Sequence, residues 1–139
     1  MKEVQFIMNF ERIKSYPIVK MEMSDKKVFL LLDTGCTDCV LDYSFYNECG
    51  GSPEMILPAE SICGSLGNID SIGKTLCVLT RGERKIKIPF VLADIKGFLS
   101  SVIDDSDVQL VGILGSKFFR IHKIIIDYAV EIIYSYSAI

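Results

Sequence analysis

Hydrophobic residues occur along this chain in short runs rich in Val, Ile, Phe and Tyr, and Gly, Asp, Ser or Pro separate these runs. This pattern is typical of an all-β domain and not of a helical one. Two polar stretches, "SDKK" at 24–27 and "TRGER" at 80–84, predict hairpin turns. The predicted strands are Val4 to Asn9, Ile18 to Met23, Val28 to Leu32, Val40 to Leu41, Thr75 to Leu79, Lys85 to Leu92, Gly112 to Leu114, Ile124 to Asp127 and Glu131 to Tyr134.

Two short segments have helical character. Ser44 to Cys49 is stopped by Gly50 and Gly51, and Ser116 to His122 begins at Ser116, which is predicted to be the N-cap. Residues 94–110 show no clear period and are interpreted as an irregular excursion. We therefore expect a sheet protein with one or two short helices.

Length, composition and charge narrow the class of protein. Half of the 139 residues are hydrophobic, which is enough for a real core and predicts one domain that covers 1–139. Fifteen Lys and Arg against eighteen Asp and Glu give a formal net charge of -3, which argues against nucleic acid as a partner. No apolar run approaches a membrane span, and the first residues lack the pattern of a secretory signal. Five cysteines in such a chain indicate reduced thiols and a cytoplasmic location.

The stretch "FLLLDTGCTDCVLD" at 29–42 places an acid, Asp33, at the end of an apolar strand, where a charge is costly to bury. An Asx-turn followed by a permissive glycine would explain the triplet without any function. Such a tripeptide arises by chance in roughly one or two chains of this length per hundred. Its context is more specific, because "VGILGS" at 111–116 repeats the apolar, apolar, glycine pattern downstream.

With "PIVKMEMSDKKVFLLLDTGCTDCVL" and "GILGSKFFRIHKIIIDY", the chain resembles the retroviral-type, or retropepsin-like, aspartic proteases from about Pro17 to Tyr134. The resemblance implies an acid protease barrel with a flap hairpin and one or two short helices. In that family the Asp is the catalytic acid, the Thr braces two active-site loops across a dimer, and the Gly lets the loop turn beneath the substrate. These catalytic-loop roles fall on Asp33, Thr34 and Gly35.

The resemblance also implies substrate contacts. Cys36, Thr37 and Asp38 follow the triplet, although relatives have Ala or Ser where this chain has Cys36, and the viral pattern has Asp where it has Thr37. A thiol at position 36 is a weak hydrogen-bond donor, so we expect it to affect the acidity of the catalytic pair and to be open to oxidation, including a disulfide with Cys39.

Two further elements follow from the same resemblance. The apolar-apolar-glycine element that packs behind the active-site loop falls on Ile113, Leu114 and Gly115. The flap falls within 61–73, and the residues predicted near its tip, also as substrate contacts, are Gly64, Ser65, Leu66 and Gly67.

Peptide hydrolysis without a metal needs one carboxylate to activate water and one carboxylic acid to polarise the carbonyl. Two adjacent carboxyls that share a proton do both, as is established for aspartic proteases. This chain has one such triplet, and "DDSD" at 104–107 lacks the preceding strand and the following glycine. The sequence therefore predicts an aspartic endopeptidase that acts on peptides or proteins as a homodimer with Asp33 from each copy, without a cofactor or metal.

Two alternatives remain. The first is an inactive module of the same fold that binds an extended peptide by strand addition. The second is a redox or zinc site at Cys36 and Cys39, which form a C-x-x-C without a second such motif. For these two cysteines a packing role is favoured over redox or zinc chemistry. His122, the single histidine, has no Asp-bearing motif beside it, so a surface or capping role is favoured over catalysis.

Overall fold

The structure, a computed structural model, describes residues 2–50, 61–62, 69–105 and 107–138. Its helices are α1 (Tyr43–Glu48), α2 (Lys96–Val102) and α3 (Ser116–Ile121). Its strands are β1 (Phe6–Asn9), β2 (Glu11–Ile13), β3 (Tyr16–Met23), β4 (Lys26–Leu32), β5 (Val40–Asp42), β6 (Ser61–Ile62), β7 (Ile69–Asp70), β8 (Gly73–Arg81), β9 (Arg84–Ala93), β10 (Leu110–Leu114), β11 (Ile125–Asp127) and β12 (Ile132–Ser135).

Within the described residues the main sheet closes into a six-stranded barrel. The strands follow the order β3-β4-β10-β5-β9-β8, and β8 returns to β3 through the pair Glu22 and Thr80. Most neighbours are antiparallel, but β10 runs parallel to β4, and β5 runs parallel to β9. The predicted all-β class is confirmed.

The hairpin turns follow from local backbone geometry. Ser24 and Asp25, between β3 and β4, both have positive φ, at 50° and 64°. Gly82, between β8 and β9, has φ 61°. Turns with positive φ match the right-handed twist of paired strands, and both predicted turns are confirmed.

The strand β10 is buried at all five positions because it is covered on both faces. Leu114 faces the cluster inside the barrel, while Ile113 faces a second cluster that also contains Leu99 of α2 and Ile103. This strand is therefore packed on both faces and provides a rigid support for Gly115 and α3, which follow its last residue.

Three local predictions are wrong. Residues 94–110 are not wholly irregular, because they contain α2, which buries Leu99 although its N-cap residue, Ile95, makes no side-chain cap. The strand β2 was not predicted, since its sequence "ERI" has little apolar character. The N-cap of α3 is Gly115 and not Ser116, whose hydroxyl instead donates to the Thr37 carbonyl at 3.4 Å. The other predicted strands and helices are present, with ends shifted by one or a few residues.

A separate sheet, called the terminal sheet below, contains strands from both ends of the chain in the order β1-β12-β11. Phe6, Met8 and Ile133 point from it into the barrel core. On its outer face Tyr134 pairs with both Ile7 and Ile125, and these isoleucines are 55% and 40% exposed. In the described ranges, no helix has the length and apolar character needed to cross a membrane.

Candidate active site

Asp33 directly follows β4, at the end where β4 and its parallel neighbour β10 both finish. Leu32 and Leu114 are paired in the last register position, and the Asp33 amide donates to the Leu114 carbonyl at 3.0 Å. Two central strands therefore fix the backbone of this acid. Its side chain is partly exposed.

The triplet forms a tight turn. The Gly35 amide donates to Asp33 Oδ1 at 2.9 Å, and the Cys36 amide donates to the Asp33 carbonyl at 3.1 Å. The Asx-turn interpretation is thus confirmed, and it does not compete with a catalytic one. Within the described part of the chain, Oδ2 of Asp33 has no hydrogen-bonding partner.

The start of α3 holds the following residues of the loop. The Ser116 amide donates to the Cys36 carbonyl at 2.7 Å, and the Lys117 amide donates to the Thr37 carbonyl at 2.9 Å. The Lys117 ammonium also pairs with Asp38 Oδ1 at 3.1 Å. Backbone and side chain together therefore fix the segment that follows the acid.

Gly115 lets α3 approach the loop this closely. A Cβ at this position would lie 2.1 Å from the Asp38 carbonyl oxygen and 2.5 Å from the Cys36 carbonyl oxygen. Its φ of -90° is accessible to any residue, so the constraint is one of space. The element Ile113, Leu114 and Gly115 lies behind the loop that carries Asp33, as the family resemblance implies.

The loop residues differ in accessibility. Thr34, Gly35 and Thr37 are exposed, and Asp38 is partly exposed but paired with Lys117. The exposed tip at Thr34 and Gly35 is available for contact with another molecule. Thr37 and Asp38 are the two polar residues that are expected to contact a substrate after the triplet. Of these two, Thr37 is the more accessible.

Cys36 does not fit the expected substrate contact, because its side chain is 0% exposed. Its thiol donates to the Asp38 carbonyl at 3.3 Å and not to the Asp33 carboxylate. Burial raises the pKa of Cys36 to about 11, and the negative charges of Asp33 and Asp38 act in the same direction. This thiol is therefore a packing residue beneath the loop.

The two cysteines of the C-x-x-C motif face different sides of the barrel wall. Cys39 is buried in the cluster inside the barrel, whereas Cys36 lies in the cluster beneath α2. Burial also raises the pKa of Cys39 to about 11. Neither the expected disulfide nor a shared zinc site suits this arrangement, and no group of three or more metal-ligand side chains occurs among the described residues.

Of the predicted flap, the structure describes the base. The strands β6 and β7 form an antiparallel pair, Ser61 with Asp70 and Ile62 with Ile69. The residues predicted near the tip lie outside the described ranges: Gly64, Ser65, Leu66 and Gly67.

Sequence reasoning missed Asp42, which is 3% exposed. Its carboxylate accepts from the Ser44 hydroxyl and from the Phe45 amide at 3.3 Å, and thus caps α1. It also accepts from the Ile95 amide at 3.1 Å, which ties β5 to the segment that leads into α2. An Asp just before the helical run was the available signal.

His122 is placed as the C-cap of α3. Its ring meets Phe118 edge-on, with centroids 5.1 Å apart, and its carbonyl accepts from the Ser135 hydroxyl at 2.7 Å. Partial burial lowers the pKa of His122. These contacts join α3 to the terminal sheet, so the capping role is confirmed.

The closed all-β barrel defines the class of fold, and solved structures share this fold. The protease of EIAV, in complex with the inhibitor HBY-793, is similar over 79% of this chain and 90% of its own, with TM-score 0.55 and 24% identity. A retropepsin-like aspartic protease from Rickettsia conorii is similar over 100% and 97%, with TM-score 0.60 and 17% identity. The retroviral protease-like domain of Ddi1 from Leishmania major is similar over 81% of each chain, with TM-score 0.55 and 14% identity.

The chain therefore has the retropepsin-like fold, as its sequence predicts. Neither a family model nor a curated protein sequence matches it. At these identities the likeness establishes the fold alone.

Proposed function

We propose that this protein is an aspartic endopeptidase whose active site is built from two copies of the chain, each contributing Asp33. The observation that carries this proposal is the setting of Asp33. It lies at the shared end of two central strands, with one carboxylate oxygen bound to Gly35 and the other without a partner among the described residues. The likeness to aspartic proteases agrees with this assignment.

The chemistry requires a second carboxyl. One Asp33 carboxylate takes a proton from a water held between the two subunits, and the other, protonated, donates to the oxygen of the scissile carbonyl. The water oxygen then bonds to the carbonyl carbon, and the carbon–nitrogen bond breaks as the nitrogen receives a proton. Two close carboxyls can share one proton because they cannot both ionise easily.

Two exposed surfaces of the single chain support the proposal of a homodimer. Thr34 and Gly35 lie at the surface beside Asp33, so a second copy can place its own loop against them. The outer face of the terminal sheet offers a second apolar surface through Ile7 and Ile125. A symmetric site on a two-fold axis needs an isologous interface of this kind.

Cys36 and Thr37, which differ from the family pattern, affect how this segment can bind a substrate. Asp38 is engaged by Lys117 and Cys36 is buried, which leaves Thr37 to contact the substrate backbone from this segment. We expect the groups that bind a peptide near the acid to be Gly35 and Thr37, together with the flap residues Gly64 to Gly67.

Replacement of Asp33 by Asn tests the assignment. Asp33→Asn should abolish cleavage of a peptide library and leave the circular dichroism spectrum unchanged, because an amide can neither act as a base nor share the proton. The matched control is Asp25→Asn in the exposed β3–β4 turn, where Asn tolerates the positive φ, and this variant should retain full activity. Equal cleavage by Asp33→Asn and wild type would disprove the assignment, and peptide binding without cleavage by the wild type would favour the inactive peptide-binding module.

A further inference from the structure

The hairpin formed by β8 and β9 turns one of its two faces toward solvent. Alternate positions of a strand lie on the same face, and the pairing register places Leu76 opposite Pro89 and Val78 opposite Lys87. The intervening positions point into the barrel core. The outward residues are called the β8–β9 face: Lys74, Leu76, Val78, Thr80, Lys85, Lys87 and Pro89.

The centre of the β8–β9 face is apolar. Leu76 and Val78 are 59% and 44% exposed, and Pro89, opposite Leu76, is exposed as well. Single exposed apolar side chains are common on protein surfaces, but neighbouring ones form a patch that is a candidate for contact with another apolar surface. Covering this patch would remove apolar area from water, which is favourable.

Lysines lie at both ends of this apolar centre. Lys74 is at one end, and Lys87 and Lys85, opposite Val78 and Thr80, are at the other. All three lysines are exposed, and none has an ion-pair partner among the described residues. The face therefore concentrates positive charge, although the chain as a whole has a formal net charge of -3.

Two acids adjoin the Lys85 end of this face, and each of them is beside a cation. Glu22 pairs with Thr80 across β3 and β8, and Lys27 lies opposite Glu22 on its other side. Glu83, in the turn between β8 and β9, is followed by Arg84. These acids do not outweigh the lysines, so the potential over the face is positive.

We propose that the β8–β9 face binds the surface of an anionic lipid bilayer. The lysine ammonium groups bind the anionic headgroups, and Leu76 and Val78 enter the boundary between the headgroups and the acyl chains. This docking leaves the protein on the membrane surface and does not require a spanning segment. It goes beyond the proposed function, because it holds whether or not the chain is a protease.

The shape of the site favours a bilayer over an acidic polypeptide. Extended peptides bind at the free edge of a strand, and helices bind in an apolar groove. The residues of the β8–β9 face instead project from the face of two strands that pair from Gly73 with Leu92 to Arg81 with Arg84. A broad anionic surface can contact all of these side chains at once.

Cosedimentation of the full chain with lipid vesicles tests the proposal. The protein should bind vesicles of about two parts phosphatidylcholine to one part phosphatidylserine. Binding at about 1 M salt should be at least about tenfold weaker than at about 0.1 M salt, because salt screens the charges. Vesicles of phosphatidylcholine alone should not bind. Failure to bind the phosphatidylserine vesicles, or equal binding to both kinds, would overturn the proposal.

Paired substitutions locate the binding surface. Lys85→Gln with Lys87→Gln should weaken binding to the phosphatidylserine vesicles by at least about tenfold, since each lysine near such a surface contributes about fivefold. Lys96→Gln with Lys123→Gln makes the same change in charge at exposed positions elsewhere, and it should weaken binding by less than about twofold. Equal effects of the two pairs would show that the β8–β9 face is not the site.

Leu76→Ser tests the apolar contribution. It should weaken binding to the phosphatidylserine vesicles by at least about threefold and leave the circular dichroism spectrum unchanged, because Leu76 is mostly exposed. Soluble polyglutamate serves as the alternative ligand. Tighter binding to polyglutamate than to the vesicles would assign the face to an acidic polypeptide and overturn the proposal, as would a Leu76→Ser variant that binds the vesicles like wild type.

Discussion

At the scale of single residues, the loop that carries Asp33 depends on the absence of a side chain at Gly115. Gly115 places α3 so close to the loop that a methyl group would overlap the carbonyl oxygens of Asp38 and Cys36. The sequence shows a glycine at this position. It does not show that the atoms nearest to it in space belong to the backbone, which cannot rotate away as a side chain can. The geometry of the loop is therefore more constrained than the triplet alone suggests.

Gly115→Ala should lower the free energy of unfolding by at least about 2 kcal/mol, because backbone atoms must shift to make room. Urea unfolding measures this change. Gly97→Ala in α2 is the matched control, since a Cβ there meets nothing within 4 Å, and it should be neutral or stabilising by about 0.5–1 kcal/mol. Equal effects of the two variants would contradict the account.

The buried thiols of Cys36 and Cys39 predict a dependence of stability on pH. Their pKa is raised from 9.0 to about 11 in the folded chain, so the unfolded chain loses these protons first as the pH rises. Their contribution is fully present below pH 9 and is lost as the pH approaches 11. The urea midpoint should fall across this range, and less steeply in Cys36→Ala; identical slopes would show that Cys36 does not contribute.

At the scale of elements, the pattern of apolar positions predicted the strands of the barrel because half-buried strands alternate. For example, β8 exposes Leu76 and Val78 while it buries Cys77 and Leu79. The helix α2 escaped prediction because tertiary burial of Leu99, and not a capping residue, maintains it. The Cys36 contacts could not be predicted either, since only the fold decides which face of the wall a side chain occupies.

Asp42 links β5, α1 and the segment that leads into α2, so its replacement should destabilise all three. Asp42→Ala removes the cap of α1 and leaves the buried Ile95 amide without its acceptor, which should cost about 1–3 kcal/mol in urea unfolding. Asp94→Ala, at an exposed position one residue before Ile95, should change stability by less than about 0.5 kcal/mol. If Asp42→Ala were equally harmless, the carboxylate would not hold these elements together.

At the scale of the whole molecule, the proposed active site is incomplete in one chain, and the terminal sheet offers a surface on which a second copy can pack. Ile7→Lys should weaken the proposed dimer, because it places a charge within an apolar row of the outer face. Sedimentation over a dilution series should show a shift toward monomer of at least about tenfold in concentration. Val78→Lys on the barrel, where the side chain is 44% exposed, should leave the association unchanged; if the two variants associate alike, the interface lies elsewhere.

The most direct test of the central claim, that each copy supplies one Asp33 to a shared site, is to mix wild-type subunits with Asp33→Asn subunits and allow exchange. If both acids are required, equal amounts of the two should reduce the activity per wild-type subunit to about half, because random pairing places half of the wild-type subunits in mixed, inactive dimers. A large excess of Asp33→Asn should then remove nearly all activity. Activity that stays proportional to the amount of wild-type subunit at every mixing ratio would contradict the claim.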